Sequence, residues 1–406
     1  MVSDAAVRSS AAAVVTTRNR PMVAVFFAGA TGIGHYTLRE LARLAANTPG
    51  ASGIRAYIVA RKESVAQEVI AECSAIIRQG VSGVTVAEGN GSGEHGSQEP
   101  TAEFEFVQTS DLSLMGEVDR VCARIHELET ARATRGGEGD VARIDYLLFT
   151  QGPAPYQPRK ETKEGLDFTM AMLYYSRMRA ITQLLPMLLA ASAPPSAIGT
   201  DSNEKQHHAT IVSVYAAGIE DTFDPANLAL DVNPEASYSY NTARSHMVYM
   251  HTFFFEQLAL SHDNLALVHV FPGLVDGPAF TTNKDLPAWF RTLWGWVVVP
   301  LFGWAVLTRA EDCGRRLLSL ADAERYPPAR DGGDGSGASA AVRGTTGEIG
   351  GGTYALGSTM DDTFKSAKYE GMDRDAMRKR VWQHTMDVFD TIAGGKIFKG
   401  EEQSLS

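Results

Sequence analysis

The sequence predicts an α/β fold, a doubly wound parallel sheet flanked by helices, and three observations predict it. Short apolar runs, rich in branched and aromatic residues, alternate with longer segments whose apolar positions recur at helical spacing. A glycine turn, Ala28-Gly29-Ala30-Thr31-Gly32-Ile33-Gly34, joins the first run to the first such segment. The connections are short, and five or six strand–helix units so connected require parallel strands, covered on both faces and joined by right-handed crossovers.

The elements follow in order. The first strand is Met22–Phe27, and its helix runs from about Gly34 to Ala46 with Leu38, Leu41, Ala42 and Ala45 along one side. A second strand, Arg55–Ala60, ends at Arg61-Lys62 and is followed by a helix bearing Val65, Val69, Ile70, Cys73, Ile76 and Ile77. Residues 87–102 are rich in Gly, Ser and Glu without apolar periodicity, the signature of a surface insertion. The third strand, Glu103–Gln108, leads to Asp111-Leu112 and a helix around Met115–Thr130. The fourth, Ile144–Phe149, ends at Thr150-Gln151-Gly152-Pro153.

A long helix rich in Met, Leu and Tyr spans Gly165–Leu189, and a polar insertion at 192–208 precedes the fifth strand, Ala209–Val214. The helix from about Ser239 to Leu260 leads to the sixth strand, Leu265–Phe271, which Pro272-Gly273 stops. Residues 279–308 read as a hydrophobic lid and 327–350 as a Gly-rich loop. The chain thus divides into a disordered N-terminal tail (1–20), one domain (21–360) and a C-terminal helical extension (361–406). That extension carries Met377, Val381, Phe389 and Ile392 on one stripe.

Composition bounds the function. Hydrophobic residues make up 44% and charged ones 21% of 406, ordinary for a globular chain with a sizeable core. A net charge of −11 excludes nucleic acid and anionic membrane as the main electrostatic partners. Cys73, Cys122 and Cys313 lie far apart with no CxxC spacing, which points away from a disulfide framework or zinc site and toward a reducing, cytoplasmic setting. The Ala/Ser-rich first 20 residues, with Arg8, Arg18 and Arg20, are also compatible with an organelle transit peptide, and no secretory apolar core is present.

Strand, glycine turn and amphipathic helix form the geometry in which a helix N-terminus meets an anion, commonly a dinucleotide pyrophosphate. On the Gly32-Ile33-Gly34 turn, Asp111-Leu112, Asp145…Gly152, Glu164-Gly165-Leu166-Asp167, Ile211–Val214 and Pro272-Gly273-Leu274-Val275, the sequence resembles the short-chain dehydrogenase/reductase family from about Met22 to Gly357. Tyr174-Tyr175-Ser176-Arg177 is similar to a divergent branch met in fungal natural-product pathways.

The resemblance implies a Rossmann-type domain with Gly29, Gly32, Ile33 and Gly34 at the pyrophosphate, and Asp111 with Leu112 at the adenine. Gly152 and Val275 complete the expected cofactor contacts. The turn's first glycine position is Ala28, a mild departure provided its φ stays negative. Arg61 and Lys62 stand where the family meets the adenosine ribose, and two cations there favour the 2′-phosphate of NADP(H) over NAD(H). Their bland reading is a solvated strand end, and that of Asp111 a helix cap.

The catalytic pattern departs from the family. Its Tyr gives a proton to the substrate oxygen, and a Lys one helical turn on lowers the Tyr pKa. Here Arg244 stands at the Tyr position, Val248 at the Lys, Ala216 at the Ser and Leu173 at the Asn. One turn earlier, Tyr240 and Arg244 are four apart on one helix face, and a shifted helix start would bring them to the site. Tyr215, at the end of the fifth strand, is a second source of a hydroxyl. His251 shares the Arg244 face more closely than His246 does, although a helix His is more often packed than catalytic. The literal Tyr156–Lys160 spacing falls in the wrong loop.

Four of the five tryptophans lie between Trp289 and Trp304, with no charge from Thr292 to Thr308. A lid over an apolar ligand, a peripheral membrane contact through 289–307, and a dimer surface all remain open, while Pro300 argues against a spanning helix. The reading is an NADP(H)-dependent reductase of a hydrophobic carbonyl or alcohol metabolite, polyketide- or terpenoid-like. The alternatives are a non-redox cyclase or isomerase on the same fold, or a silent nucleotide-binding protein.

Overall fold

The computed structural model describes residues 4–16, 20–87, 102–136, 140–153, 158–192, 208–276, 289, 292, 296, 307–332 and 341–400. Seven parallel strands run in the order β3-β2-β1-β4-β5-β6-β9. They are β1 (Met22–Phe27), β2 (Ile54–Ala60), β3 (Ala102–Gln108), β4 (Tyr146–Phe149), β5 (Ala209–Val214), β6 (Leu265–Val270) and β9 (Thr353–Leu356). Two-residue strands β7 (Leu274–Val275) and β8 (Leu307–Thr308) pair separately. The central strands read as unbroken apolar runs because both faces are covered. Along β1, Val23, Val25 and Phe27 enter one core while Met22, Ala24 and Phe26 enter the other.

The helices follow from the same alternation. They are α1 (Asp4–Thr16), α2 (Gly32–Asn47), α3 (Glu63–Ala87), α4 (Met115–Gly136) and α5 (Phe168–Met170). A π turn (Ala171–Tyr175) joins α5 to α6 (Ser176–Ala191), and then come α7 (Pro234–Ser237), α8 (Tyr240–Ser261), α9 (Ala310–Leu318) and, after a short turn at Ala329–Gly332, α10 (Arg374–Ala393). Asp145 ties β4 to β1 by accepting the Val23 N–H at 2.8 Å. Glu164 caps α4 from a distant loop, taking the Met115 and Gly116 N–H groups at 2.6 and 3.1 Å.

Three expectations are corrected. The N-terminal segment expected to be disordered forms α1, whose Val7, Ala11, Val14 and Val15 are buried. The Gly-rich segment after 327 leads into a seventh strand, β9, that the six-strand reading lacks. The long helix expected from Gly165 starts at Phe168 and runs to Ala191, with a π turn at Ala171–Tyr175 inside it. Of the expected insertions, residues 88–101 and 193–207 lie outside the described residues, as do most of 327–340 and of the lid.

Candidate active site

The strand order reverses between β1 and β4, so the crevice beyond their carboxyl ends is the fold's ligand site. The glycine turn lines it. Gly32 sits at φ +56, and a Cβ added there would meet nothing within 4 Å, so the turn opens onto free space. A Cβ on Gly34 would come within 2.5 Å of the Ala28 carbonyl oxygen and 2.8 Å of Thr150 Oγ1. That is the close approach of helix and strand that only glycine allows. Thr31, at the N-cap of α2, makes no side-chain capping bond, so the first-turn amides are left for another acceptor. The cradle fits a dinucleotide pyrophosphate.

Beside it lies a buried polar cluster. Arg177 of α6 is wholly buried, and among the described residues no carboxylate pairs with it. Its Nη1 donates to Ser213 Oγ and to the Val214 carbonyl, both at 2.8 Å, and its Nη2 donates to the Gln151 carbonyl at 2.5 Å. The guanidinium therefore ties the carboxyl ends of β4 and β5 together. Burial pulls its pKa down to about 9, which leaves it charged at neutral pH.

The hydrogen bonds beyond it run one way. His251 Nδ1 lies 2.6 Å from the Met247 carbonyl and must donate to it, so Nε2 accepts from Ser213 Oγ at 3.0 Å. His269 Nε2 accepts the Ala216 N–H at 3.2 Å, and its ring stacks on His251 with centroids 4.5 Å apart. Burial, reinforced by Arg177, pushes the His251 pKa down to about 3; burial, with His251 and Arg177, pushes that of His269 well down too. Both rings are neutral.

Tyr215 stands one residue past β5, its ring stacked on His269 at 6.2 Å and 6.0 Å from the Arg177 guanidinium. Its hydroxyl is buried and has no hydrogen-bond partner among the described residues. Burial raises its pKa well above the usual value, Tyr240 and Tyr238 add to that, and Arg244 and Arg177 oppose it.

Over 375 residues the chain is 34% identical to the short-chain dehydrogenase/reductase SAT2 of Stachybotrys chartarum, spanning 92% of this chain and 93% of that protein. The chain belongs to the short-chain dehydrogenase/reductase family. It is also 30% identical over 395 residues to oxidoreductase AN1596 of Emericella nidulans, spanning 96% of this chain and 98% of that one. Among solved structures it is similar to L-sorbose reductase from Gluconobacter frateurii, with a TM-score of 0.46 and 15% identity over 76% of this chain and 92% of that chain. No family model matches. The protein is thus an oxidoreductase of the short-chain type.

The three residues expected to be catalytic lie within electrostatic reach of one another at Tyr215. Tyr240 opens α8 behind a Ser239 cap, Arg244 lies one turn on, and both are near enough to Tyr215 to act on its ionisation. Arg61 and Lys62 are exposed just past β2. Asp111 Oδ1 accepts the Ser113 N–H and Oγ–H at 2.9 and 2.7 Å, a local turn, and Leu112 packs in the core. Gly152 faces Leu173, whose Cδ2 a Cβ there would meet at 2.8 Å. Val275 pairs with Thr308.

One expectation changes, and other residues have structural partners. Ala28 has φ +64, in the left-handed region that disfavours alanine, so the mild departure is a strained one. Tyr174 and Tyr175 are core: their hydroxyls meet Thr385 Oγ1 and His384 Nε2 of α10, both at 2.7 Å. His246 accepts the Asp224 N–H at 3.1 Å and orders that loop. Tyr156 lies outside the described residues, and in the lid Trp289 and Trp296 are exposed. No helix among the described residues is long and apolar enough to cross a membrane. Sequence reasoning missed Ser213 and His269 as site residues; the signal was a polar side chain inside an otherwise apolar strand.

Proposed function

We propose that the protein is an NADP(H)-dependent reductase of a hydrophobic carbonyl metabolite, polyketide- or terpenoid-like and belonging to secondary metabolism, with Tyr215 as proton donor. The observation that carries this reading is the Tyr215 hydroxyl, buried and unpartnered among the described residues at the carboxyl end of β5. A buried hydroxyl without a partner costs free energy, and a substrate oxygen would relieve that cost.

In this reading Gly29, Gly32, Ile33 and Gly34 hold the pyrophosphate, and Asp111 and Leu112 border the adenine. Arg61 and Lys62 meet the 2′-phosphate, while Gly152 and Val275 flank the nicotinamide. The bound cofactor supplies a hydride to the carbonyl carbon. Tyr215 gives its proton to the carbonyl oxygen, which yields the alcohol and a phenolate in the field of Arg244 and Arg177; water returns the proton. Tyr240, half-buried at the head of α8, borders the same space.

Titration with NADPH, followed by tryptophan quenching, tests the cofactor; no binding at about 100 μM, a loose limit for a working cofactor, refutes the reading. Tyr215→Phe is expected to lower kcat by about 10²–10³-fold on a panel of apolar ketones while NADPH binding is kept. Full activity in that variant removes Tyr215 as the donor. Binding without turnover by the wild-type protein favours a non-redox cyclase or isomerase, for which the replaced tetrad positions Leu173, Ala216, Arg244 and Val248 speak.

A further inference from the structure

Arg177 is a charge without a counter-charge. A fully buried cation is normally paired, because desolvation otherwise makes it costly. Here three neutral acceptors surround it, and the titratable group that favours its charged form is Tyr215. We propose that Arg177 is a positioning residue whose buried charge is balanced by the Tyr215 phenolate during turnover, and whose grip on the Gln151 and Val214 carbonyls sets the spacing of β4 and β5 around that hydroxyl. The inference rests on the reading of Tyr215 as proton donor.

Three features of the surroundings carry it. First, the guanidinium is itself wholly buried and lies 6.0 Å from the Tyr215 ring, where a poorly screened charge acts at range. Second, the other groups around Tyr215 leave this role open. His251 and His269 are held neutral, Tyr240 and Tyr238 oppose ionisation, and Arg244 is only half-buried and so more screened by solvent. Third, although burial pulls its pKa down to about 9, Arg177 is charged at neutral pH, so the counter-charge is in place throughout turnover there. Ser213 and His251 then have a definite task. The Ser213 hydroxyl accepts from Arg177 and passes its own proton toward His251, which fixes the guanidinium plane.

The test is a mutant cycle on the full-length protein with NADPH and the best-turned-over apolar ketone. Arg177→Gln, which removes the charge, is expected to lower kcat at least about tenfold with little change in KM, and Arg177→Lys to recover most of that loss. In a Tyr215→Phe background the loss from Arg177→Gln is expected to vanish, because the charge then has no phenolate to balance. The same fold-loss in both backgrounds, or no recovery with lysine, means a strut alone and overturns the proposal. Where Arg177→Gln does not fold, Arg177→Lys decides: its smaller loss must be present with Tyr215 and absent with Phe, and equal losses overturn the proposal. Wild-type activity in Tyr215→Phe itself instead overturns the donor reading, a separate and visible failure. No turnover of any ketone overturns both.

Discussion

Replacing Gly34 by alanine tests how tightly the glycine turn is built. The added Cβ would lie 2.5 Å from the Ala28 carbonyl oxygen, 2.8 Å from Thr150 Oγ1 and 3.0 Å from Gly29 Cα. Relief requires the Ala28 carbonyl to retreat by roughly 0.5–1 Å to reach ordinary contact. Three bonds resist that movement: the Ala28 and Gly29 N–H groups to the Val59 carbonyl at 3.0 and 3.3 Å, and Thr150 Oγ1 to the Ala28 carbonyl at 3.4 Å. Overpacking of this kind costs about 1–3 kcal/mol. The urea midpoint should fall accordingly, with the m-value unchanged. The same retreat moves the first amides of α2. Losing one charge-assisted hydrogen bond to a pyrophosphate, about 1.5–3 kcal/mol, weakens NADPH binding roughly tenfold to a hundredfold. Wild-type midpoint and wild-type NADPH affinity in Gly34→Ala would refute the account of this turn.

Further outcomes follow from the same geometry. Ala28→Gly relieves a residue at φ +64 and should stabilise the protein by about 0.5–1 kcal/mol after the unfolded-state entropy is charged; a lowered urea midpoint would contradict this. Arg61→Glu combined with Lys62→Glu should shift the NADPH-to-NADH preference by at least about tenfold toward NADH, measured by binding titration, and an unmoved ratio removes both residues from the 2′-phosphate. Acid should destabilise the fold through His246, His251 and His269, which are neutral when folded, with values near 4 and 3 for the first two and a depressed one for the third. The unfolded chain binds protons near pH 6.5 and the folded one does not. Stability is therefore present above that value and lost as pH falls toward 4, by about 1.4 kcal/mol per unit for each histidine. Urea midpoints that stay level from pH 7 to 5 would exclude this.

What the sequence reveals depends on the range of the interactions. The strands are legible because parallel strands buried on both faces, such as Met22–Phe27, are continuous apolar runs. β9 escapes notice because Thr353–Leu356 is only four residues long and follows a run of glycines. The helix at Asp4–Thr16 escapes because its sparse Val and Ala stripe is stabilised by docking, not by propensity. Residue identity also says nothing of the backbone at Ala28, whose left-handed φ is imposed by the turn.

The candidate site is legible in part. Tyr215, Tyr240 and Arg244 are chosen by what is missing from the expected positions, and Tyr240 and Arg244 lie close enough to Tyr215 to act on its ionisation. Arg177, Ser213 and His251 come together across separations of 36 and 38 residues. A helical face can be read from spacing, but the strand it will meet cannot. An arginine amid Met and Tyr, and a histidine inside Leu265–Val270, are the traces such a cluster leaves.

The C-terminal helix α10 has a consequence for how the protein is made. Its His384 and Thr385 take the hydroxyls of Tyr175 and Tyr174, partners separated by 209 and 211 residues. Those tyrosines sit in the π turn that leads directly into Ser176 and Arg177. On the ribosome the sheet's central strands emerge long before α10 does, so the hydroxyls of Tyr174 and Tyr175 wait for their partners until α10 has been made.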